Sequence, residues 1–454
     1  MNKITTLLLF LSLAIGSFSQ TTIKRDPEIK KMVDDISSAN LERYIQKLVS
    51  FNTRSNLSEQ HNPNQGIGAA WNWIKSEMEQ SIPASKGRLS VEFVNYKAEL
   101  GTLPNKKEVE LKNVVATLKG VDPSDNRIFL ISAHIDSRAE NKYDGVETAP
   151  GANDDGSGIA AILELVRIMS KNEFSGTIIF MAVSGEEHGL FGSTHMASVA
   201  KSENWNLVAM LNDDMIGNSG SSGTLLNDNM KVRVFSEGVP AFETEQMAKS
   251  RAFSSMENDG KARQLARYVK EIGERYVDQL TVTLNYRNDR FGRGGDHSPF
   301  CEQGFTAIRI TEFNENYDRT HQVIKEKDGI HYGDTPEYVD YNYVRKNAGI
   351  NLATLANLAS APYAPKNVEI VIEGLSNSTA LRWEEPTIGK KPAGYYVLMR
   401  ETYQALWEKK IFVKGSSITL PYSKDNYFFA VQSVDADGHE SEIIFPAPFP
   451  TPKK

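Results

Sequence analysis

Cysteine is almost missing from this chain. Cys301 is the only one among 454 residues, so no intramolecular disulfide can form. Stability must therefore come from a large apolar core, which a chain of this length can bury, and from any metal it holds. Long hydrophobic runs are missing too: the apolar stretch from Leu7 to Ile15 is too short for a comfortable membrane span. Basic excess is also absent. Lys and Arg number 51 against 58 Asp and Glu, the formal net charge is -7, and the pI is near 5.8. Phosphate affinity comes from clustered cations, so this balance argues against a general nucleic-acid binder. There is no internal repeat and no low-complexity tract. What remains is the composition of a soluble globular protein, long enough for two domains.

The N-terminus carries Lys3, the run Leu7 to Ile15, and then Ser17 and Ser19 flanking Phe18. That order reads as a secretory signal over residues 1–19, cleaved after Ser19. It predicts export to the periplasm or the medium. No cysteine near the cleavage point could accept a lipid, so no stable membrane anchor is expected.

From Pro27 to Phe51, apolar residues recur at helical spacing with a break near Ser37, and a second helix is expected over Ile67 to Met78. Strands and helices then alternate: Val91 to Tyr96, Lys112 to Leu118 and Arg127 to Ser132 as strands, Gly158 to Ser170 as a helix, then strands Gly176 to Val183 and Asn206 to Asn212. Such alternation predicts an α/β fold, a mixed and mostly parallel sheet sandwiched by helices. A strand at Phe305 to Ile310 and a helix at Tyr341 to Leu358 close this domain, assigned to residues 20–360. Residues 361–366 read as a linker. Short alternating strands without helices follow over residues 367–446, the pattern of a small all-β sandwich, and residues 447–454 form a tail.

Chemistry concentrates in five short stretches between residues 130 and 325. His134 and Asp136 stand two apart at a strand end, so their side chains share one side of the strand. That spacing suits His134 as a metal ligand with Asp136 as its hydrogen-bonded support. Asn153-Asp154-Asp155-Gly156-Ser157-Gly158 places carboxylates in a turn before an apolar helix, where helix capping alone is the competing explanation. Glu186 and Glu187 directly follow a buried apolar strand. Adjacent carboxylates there repel unless a cation or a proton intervenes, and a metal-binding Glu beside a general-base Glu accounts for the pair. Asp213 and Asp214 close another apolar strand, where one of the two is expected to be a ligand. His297, His321 and His331 compete for the remaining ligand position.

Taken together and in order, His-x-Asp, Asn-Asp-Asp-Gly-Ser-Gly, Gly-Glu-Glu and Asn-x-Asp-Met resemble the co-catalytic zinc aminopeptidase family, whose relatives include glutamate carboxypeptidases and glutaminyl cyclases. The resemblance spans roughly Lys112 to Ala359. It implies two zinc ions: His134 and Asp214 on one, Glu187 and His321 on the other, Asp154 bridging, Glu186 as general base and Asp136 supporting His134. His331 is the reserve for His321, because Thr320 precedes and Gln322 follows His321 where the family has Thr directly after the ligand. The segment around His297 resembles a substrate-side wall. Peptide substrates follow from the same likeness, with N-terminal residues as the favoured target. Arg287, Arg290 and Arg293 keep a carboxypeptidase open, a glutaminyl cyclase would need only one zinc, and a receptor-like relative would have lost ligands that are all present here. The C-terminal strands resemble a fibronectin type III domain through Leu381-Arg382-Trp383, Gly394-Tyr395-Tyr396-Val397 and Tyr427-Phe428-Phe429-Ala430-Val431. Oligomeric state leaves no trace in the sequence.

Overall fold

The computed structural model describes residues 21, 23, 25–102, 104–373 and 376–447. The expected signal segment, residues 1–19, and most of the tail lie outside them.

Eight strands form one sheet: β1 (Leu89–Leu100), β2 (Lys107–Leu118), β3 (Arg127–His134), β4 (Thr177–Val183), β5 (Asn206–Asp213), β6 (Lys231–Phe235), β7 (Thr281–Asn285) and β8 (Ala307–Glu312), in the order β1-β2-β4-β3-β5-β8-β6-β7. The central strands β4, β3, β5 and β8 run parallel, while β1, β2 and the β8–β6 junction pair antiparallel. This is the expected mixed α/β sheet. Its central strands are buried on both faces, and their period of two sorts side chains between two cores. In β4, Ile178, Phe180 and Ala182 join the larger core, whereas Ile179, Met181 and Val183 join the smaller one.

Helices α1 (Pro27–Asp34), α2 (Ser38–Val49), α3 (Gly66–Glu79), α4 (Gly156–Met169), α5 (Glu186–Gly189), α6 (Phe191–Ser202), α7 (Glu245–Ser254), α8 (Lys261–Tyr276), α9 (Ser298–Glu302) and α10 (Tyr341–Ser360) complete the α/β part. The break expected near Ser37 is real, because the Ser37 side chain caps α2 by accepting from Asn40 N. Helices α4, α8 and α10 carry much of the larger core, and α6 and α9 cover the opposite face. Helix α10 is buried on nearly every side, so it serves as an internal post of the domain.

The remaining strands are the hairpin β9 (Lys325–Lys327) and β10 (Ile330–Tyr332), then β11 (Lys366–Val371), β12 (Thr379–Glu384), β13 (Gly394–Glu401), β14 (Lys409–Val413), β15 (Ser417–Leu420) and β16 (Tyr427–Val434). The last six form two antiparallel sheets, β11-β12-β15 and β14-β13-β16. Leu381, Trp383 and Leu420 from the first pack with Val397, Phe429 and Val431 from the second in one apolar core. A buried ionic seam fastens these sheets to the α/β part: Glu440 pairs with Arg275 of α8 at 2.9 Å and with Lys410 at 2.6 Å.

Candidate metal centre

The carboxyl ends of β3, β4 and β5 lie side by side, and in parallel α/β sheets the crevice beyond such ends is where ligands bind. His134 ends β3, Glu186 and Glu187 open α5 just after β4, and Asp214 follows β5. The loop before α4 supplies Asp154, and the loop after β8 supplies His321. Two groups of ligand atoms result, His134 with Asp154 and Asp214, and Asp154 with Glu187 and His321; within each group the atoms lie within 4.8 Å of one another. Asp154 belongs to both. His134 Nε2 is 3.1 Å from Asp154 Oδ1, and His321 Nε2 is 2.9 Å from Asp154 Oδ2 and from Glu187 Oε1.

In each doubled carboxylate the two members point to different tasks. Asp213 faces α10, where Asn351 Nδ2 donates to both of its oxygens at 2.8 and 2.7 Å; burial pushes its carboxyl up to about 8. Asp214, one residue on, faces the crevice. Asp155 caps α4 by accepting from Gly158 N and also accepts from His134 N and Met215 N, so the capping explanation holds for Asp155 while Asp154 turns to the histidines. Glu187 meets His321, and Glu186 stands beside it without that contact.

The support expected from Asp136 takes another form. His134 Nδ1 donates to the Asp136 backbone carbonyl at 2.9 Å, while the Asp136 carboxylate stays 3.9 Å away. That carboxylate instead accepts from the backbone N–H groups of Gly185, Glu186 and Glu187 at 2.9, 3.3 and 3.1 Å, and from Asn56 Nδ2 at 2.6 Å. A short segment that must turn two carboxylates into the crevice is thus fixed by a third. His331 lies outside both groups, bound to Glu326 and tilted on Tyr338. His297 is buried and bonds Asn288 O.

Burial and close charges set the electrostatics of the crevice. Burial, followed by the nearby charges of Asp214, Glu187 and Asp296, holds the Glu186 carboxyl far above its usual range against the opposing pull of His134. Burial acts the same way on Asp154, but hydrogen bonds from His134 and His321 outweigh it and hold Asp154 far below. His321 is pushed up to about 9, the carboxylates of Glu187 and Asp154 overcoming its burial. His134 Nε2 is buried and turned toward Asp154 Oδ1 at 3.1 Å and Asp214 Oδ1 at 3.8 Å, the placement of a ligand nitrogen. Two imidazoles with three carboxylates form a nitrogen and oxygen set that suits zinc.

Several supporting residues escaped the sequence reading. Arg309, buried in β8, places Nη2 2.9 Å from Asp214 Oδ2 and Nη1 2.8 Å from Asp289. Arg138 sits 2.8 Å from Glu187 Oε2 and 2.7 Å from His321 Nδ1. Arg54 donates to the carbonyls of Ile135, Pro150 and Gly151, tying the β3 loop to the loop that carries Asp154. A lone arginine in a polar loop or a strand carries no pattern that would mark it.

Comparison with known proteins agrees with this geometry. A probable zinc metalloprotease of Leptosphaeria maculans is 42% identical over 426 residues, covering 93% of this chain and 97% of the relative. One from Pyrenophora tritici-repentis is 40% identical over 429 residues, covering 93% and 87%. Among solved structures, the Legionella pneumophila LapA aminopeptidase superposes with a TM-score of 0.52 at 19% identity, over 80% of this chain and 81% of that one. The aminopeptidase of Aneurinibacillus sp. strain AM-1 gives 0.52 at 16%, over 78% and 99%. The last two establish the fold alone. The signature of Peptidase family M28 matches residues 113–353, the span holding every candidate ligand, and the chain belongs to that family of zinc-dependent peptidases.

Proposed function

We propose that this peptidase is an exported aminopeptidase that removes N-terminal residues from peptides at a centre of two zinc ions. The observation that carries the reading is the pair of ligand groups sharing Asp154. His134 and Asp214 would hold one ion and Glu187 and His321 the other, with Asp154 shared between the two groups. When bound, the metal polarises the scissile carbonyl and makes water a better nucleophile at neutral pH. Glu186 takes the proton from the attacking water and returns it to the leaving amine. Asp136 keeps Glu186 and Glu187 aimed into the crevice through its three backbone bonds. Export rests on Lys3, the run Leu7 to Ile15 and Ser19; among the described residues no helix is long and apolar enough to cross a membrane.

The acidic surroundings of the crevice favour a free α-amine over a C-terminal carboxylate. Two of the arginines that kept a carboxypeptidase open are engaged elsewhere: Arg290 and Arg293 lie 3.0 and 3.6 Å from Glu315. Arg287 stacks on Phe291 at 3.6 Å. Residues 367–446 are read as a fibronectin type III-like module after the linker 361–366. Support comes from the two facing sheets, the edge packing of Trp383 on Tyr395 at 5.3 Å, and a further bridge from Val431 to Ile444.

The test is mass spectrometry of a peptide library incubated with the purified protein, in free and N-acetylated copies, with and without a chelator. Chelator-sensitive loss of single N-terminal residues from the free copies alone is expected. C-terminal trimming of both copies, or cyclisation of N-terminal Gln, would overturn the aminopeptidase reading.

A further inference from the structure

The loop that carries His321 also floors an open groove of about 620 Å³. One wall is the turn over residues 220–227, closed by a bridge between Gly220 and Asn227, and the other is the hairpin of β9 and β10. Arg319 N bonds Asn316 O at 3.1 Å and Gly333 N bonds Asp318 O at 3.2 Å, which hold the floor in place. Arg319 and Tyr338 both line the groove, and the guanidinium carbon lies 3.7 Å from the centre of the Tyr338 ring, a stack that fixes the guanidinium plane. Arg319 stands two residues before His321, so their Cα atoms are at most about 7.6 Å apart.

The arginines around the metal crevice are spent: Arg54, Arg138, Arg233, Arg290 and Arg309 are each bonded to a carbonyl or paired with a carboxylate. Arg319 is the exception. It is half-buried, yet its guanidinium has no hydrogen-bond or ion-pair partner among the described residues, and none of its nitrogens is shut off from solvent. The Tyr338 hydroxyl is in the same condition. Of the carboxylates on the groove, Glu326 is taken by His331 Nδ1 at 2.7 Å, and Asp318, next to Arg319 in the chain, makes no ion pair with it. A planar guanidinium with free N–H groups, held by a stack beside a free hydroxyl, is shaped to take a carboxylate through two parallel charge-assisted bonds.

We propose that Arg319 and Tyr338 receive a carboxylate of the peptide being cleaved, at a residue beyond the scissile bond. The enzyme then favours short peptides with a free C-terminus, or peptides with an acidic residue at that place. This rests on the aminopeptidase reading, in which the N-terminus enters the metal centre and the rest of the peptide leaves along the loop that carries His321.

Hydrolysis kinetics of the full chain test it. An extended peptide advances about 3.3 Å per residue, so lengths of about two to six residues bracket the reach of the groove. Each peptide carries the N-terminal residue that the library favours followed by glycines, as the C-terminal acid and as the amide. At one length the acid should exceed the amide at least about tenfold in kcat/KM, through KM, as a charge-assisted pair gives. Amides with glutamate in place of one glycine distinguish a side-chain carboxylate from the terminal one. Arg319→Gln should bring the ratio of acid to amide to about one, and Arg319→Lys should keep only part of it. Tyr338→Phe removes only the hydroxyl and should lower the ratio; it decides if Arg319→Gln does not fold. A ratio near one at every length with no gain from glutamate, while N-terminal residues are still released, would overturn this proposal alone, as would a ratio that survives Arg319→Gln. No N-terminal release from any peptide would overturn it together with the aminopeptidase reading.

Discussion

His134 bonds the backbone of Asp136 and not its carboxylate: Nδ1 donates to the carbonyl at 2.9 Å, and the nearer carboxylate oxygen is 3.9 Å away. The imidazole donates from Nδ1 and turns Nε2 toward Asp154 and Asp214, while the carboxylate is left to organise the turn after β4. Asp136→Asn should therefore act chiefly on Glu186 and Glu187. It substitutes a donor for one of the acceptors the three N–H groups need. Zinc affinity is expected to fall about 10–100-fold, the usual cost of losing such a supporting contact, with secondary structure retained. Competition with a zinc-binding dye, alongside circular dichroism, measures both; unchanged affinity would show that the three bonds do not position the ligands.

Glu186 stands beside the ligand groups without joining either. Glu186→Gln should keep the zinc content of the parent protein and lose about 10²–10⁴ in kcat, the range attributed to general-base catalysis. Metal analysis and peptide hydrolysis on the same sample separate the two effects. Intact hydrolysis with zinc still bound would remove Glu186 from the mechanism.

At the other end of the molecule, His439 is clasped between Asp435 at 2.7 Å and Asp26, the N-cap of α1, at 2.8 Å. Burial opposes its charge, but the two carboxylates outweigh burial and raise its pKa. A raised folded-state value stabilises the fold below the ordinary histidine pKa, and that contribution fades as pH rises through the raised value. Asp435, which also pairs with Lys390, is held down to about 2 despite burial, so its own contribution persists above the ordinary carboxyl range and is lost toward pH 2. The melting temperature should thus decline as pH rises above the ordinary histidine range, and His439→Gln should flatten the decline. A parallel decline in the variant would contradict this.

Glu440 joins the C-terminal sheets to α8 through Arg275 and Lys410, and its backbone meets Asn357 N-to-Oδ1 at 2.8 Å and the Tyr268 hydroxyl at 2.6 Å. Glu440→Ala takes a buried carboxylate from Arg275 and Lys410, which both keep Glu271, so the loss should stay below the about 3–5 kcal/mol of leaving a buried charge wholly unpaired. Calorimetry should show one transition in the parent protein and a lowered, divided one in the variant. An undivided transition at the parent temperature would mean that the two parts are not coupled through this residue.

Much of this protein was legible in the chain itself. Buried central strands leave an unbroken apolar run, as in Ile178 to Val183, and α2 announces its start through Ser37. The stretches holding His134, Glu187 and Asp214 were visible because they stand at or just after the ends of apolar strands, whereas Asp154 and His321, in longer loops, were named through the family resemblance. Sequence also determined that the centre would be acidic and that no disulfide could brace it. The residues by themselves left open which member of each doubled carboxylate would be a ligand; the family resemblance named Asp154, Glu187 and Asp214, and the tertiary structure gives the physical reason why Asp213 and Asp155 are held elsewhere. Backbone alternation separates Asp213 from Asp214, but only the position of α10 and its Asn351 says which face is the core. The same holds for the arginines at 54, 138 and 309. Their partners lie about 80–100 residues away for Arg54, 49 and 183 for Arg138, and 95 for the Arg309 contact with Asp214, and contacts closed by folding over such separations leave no local pattern to read.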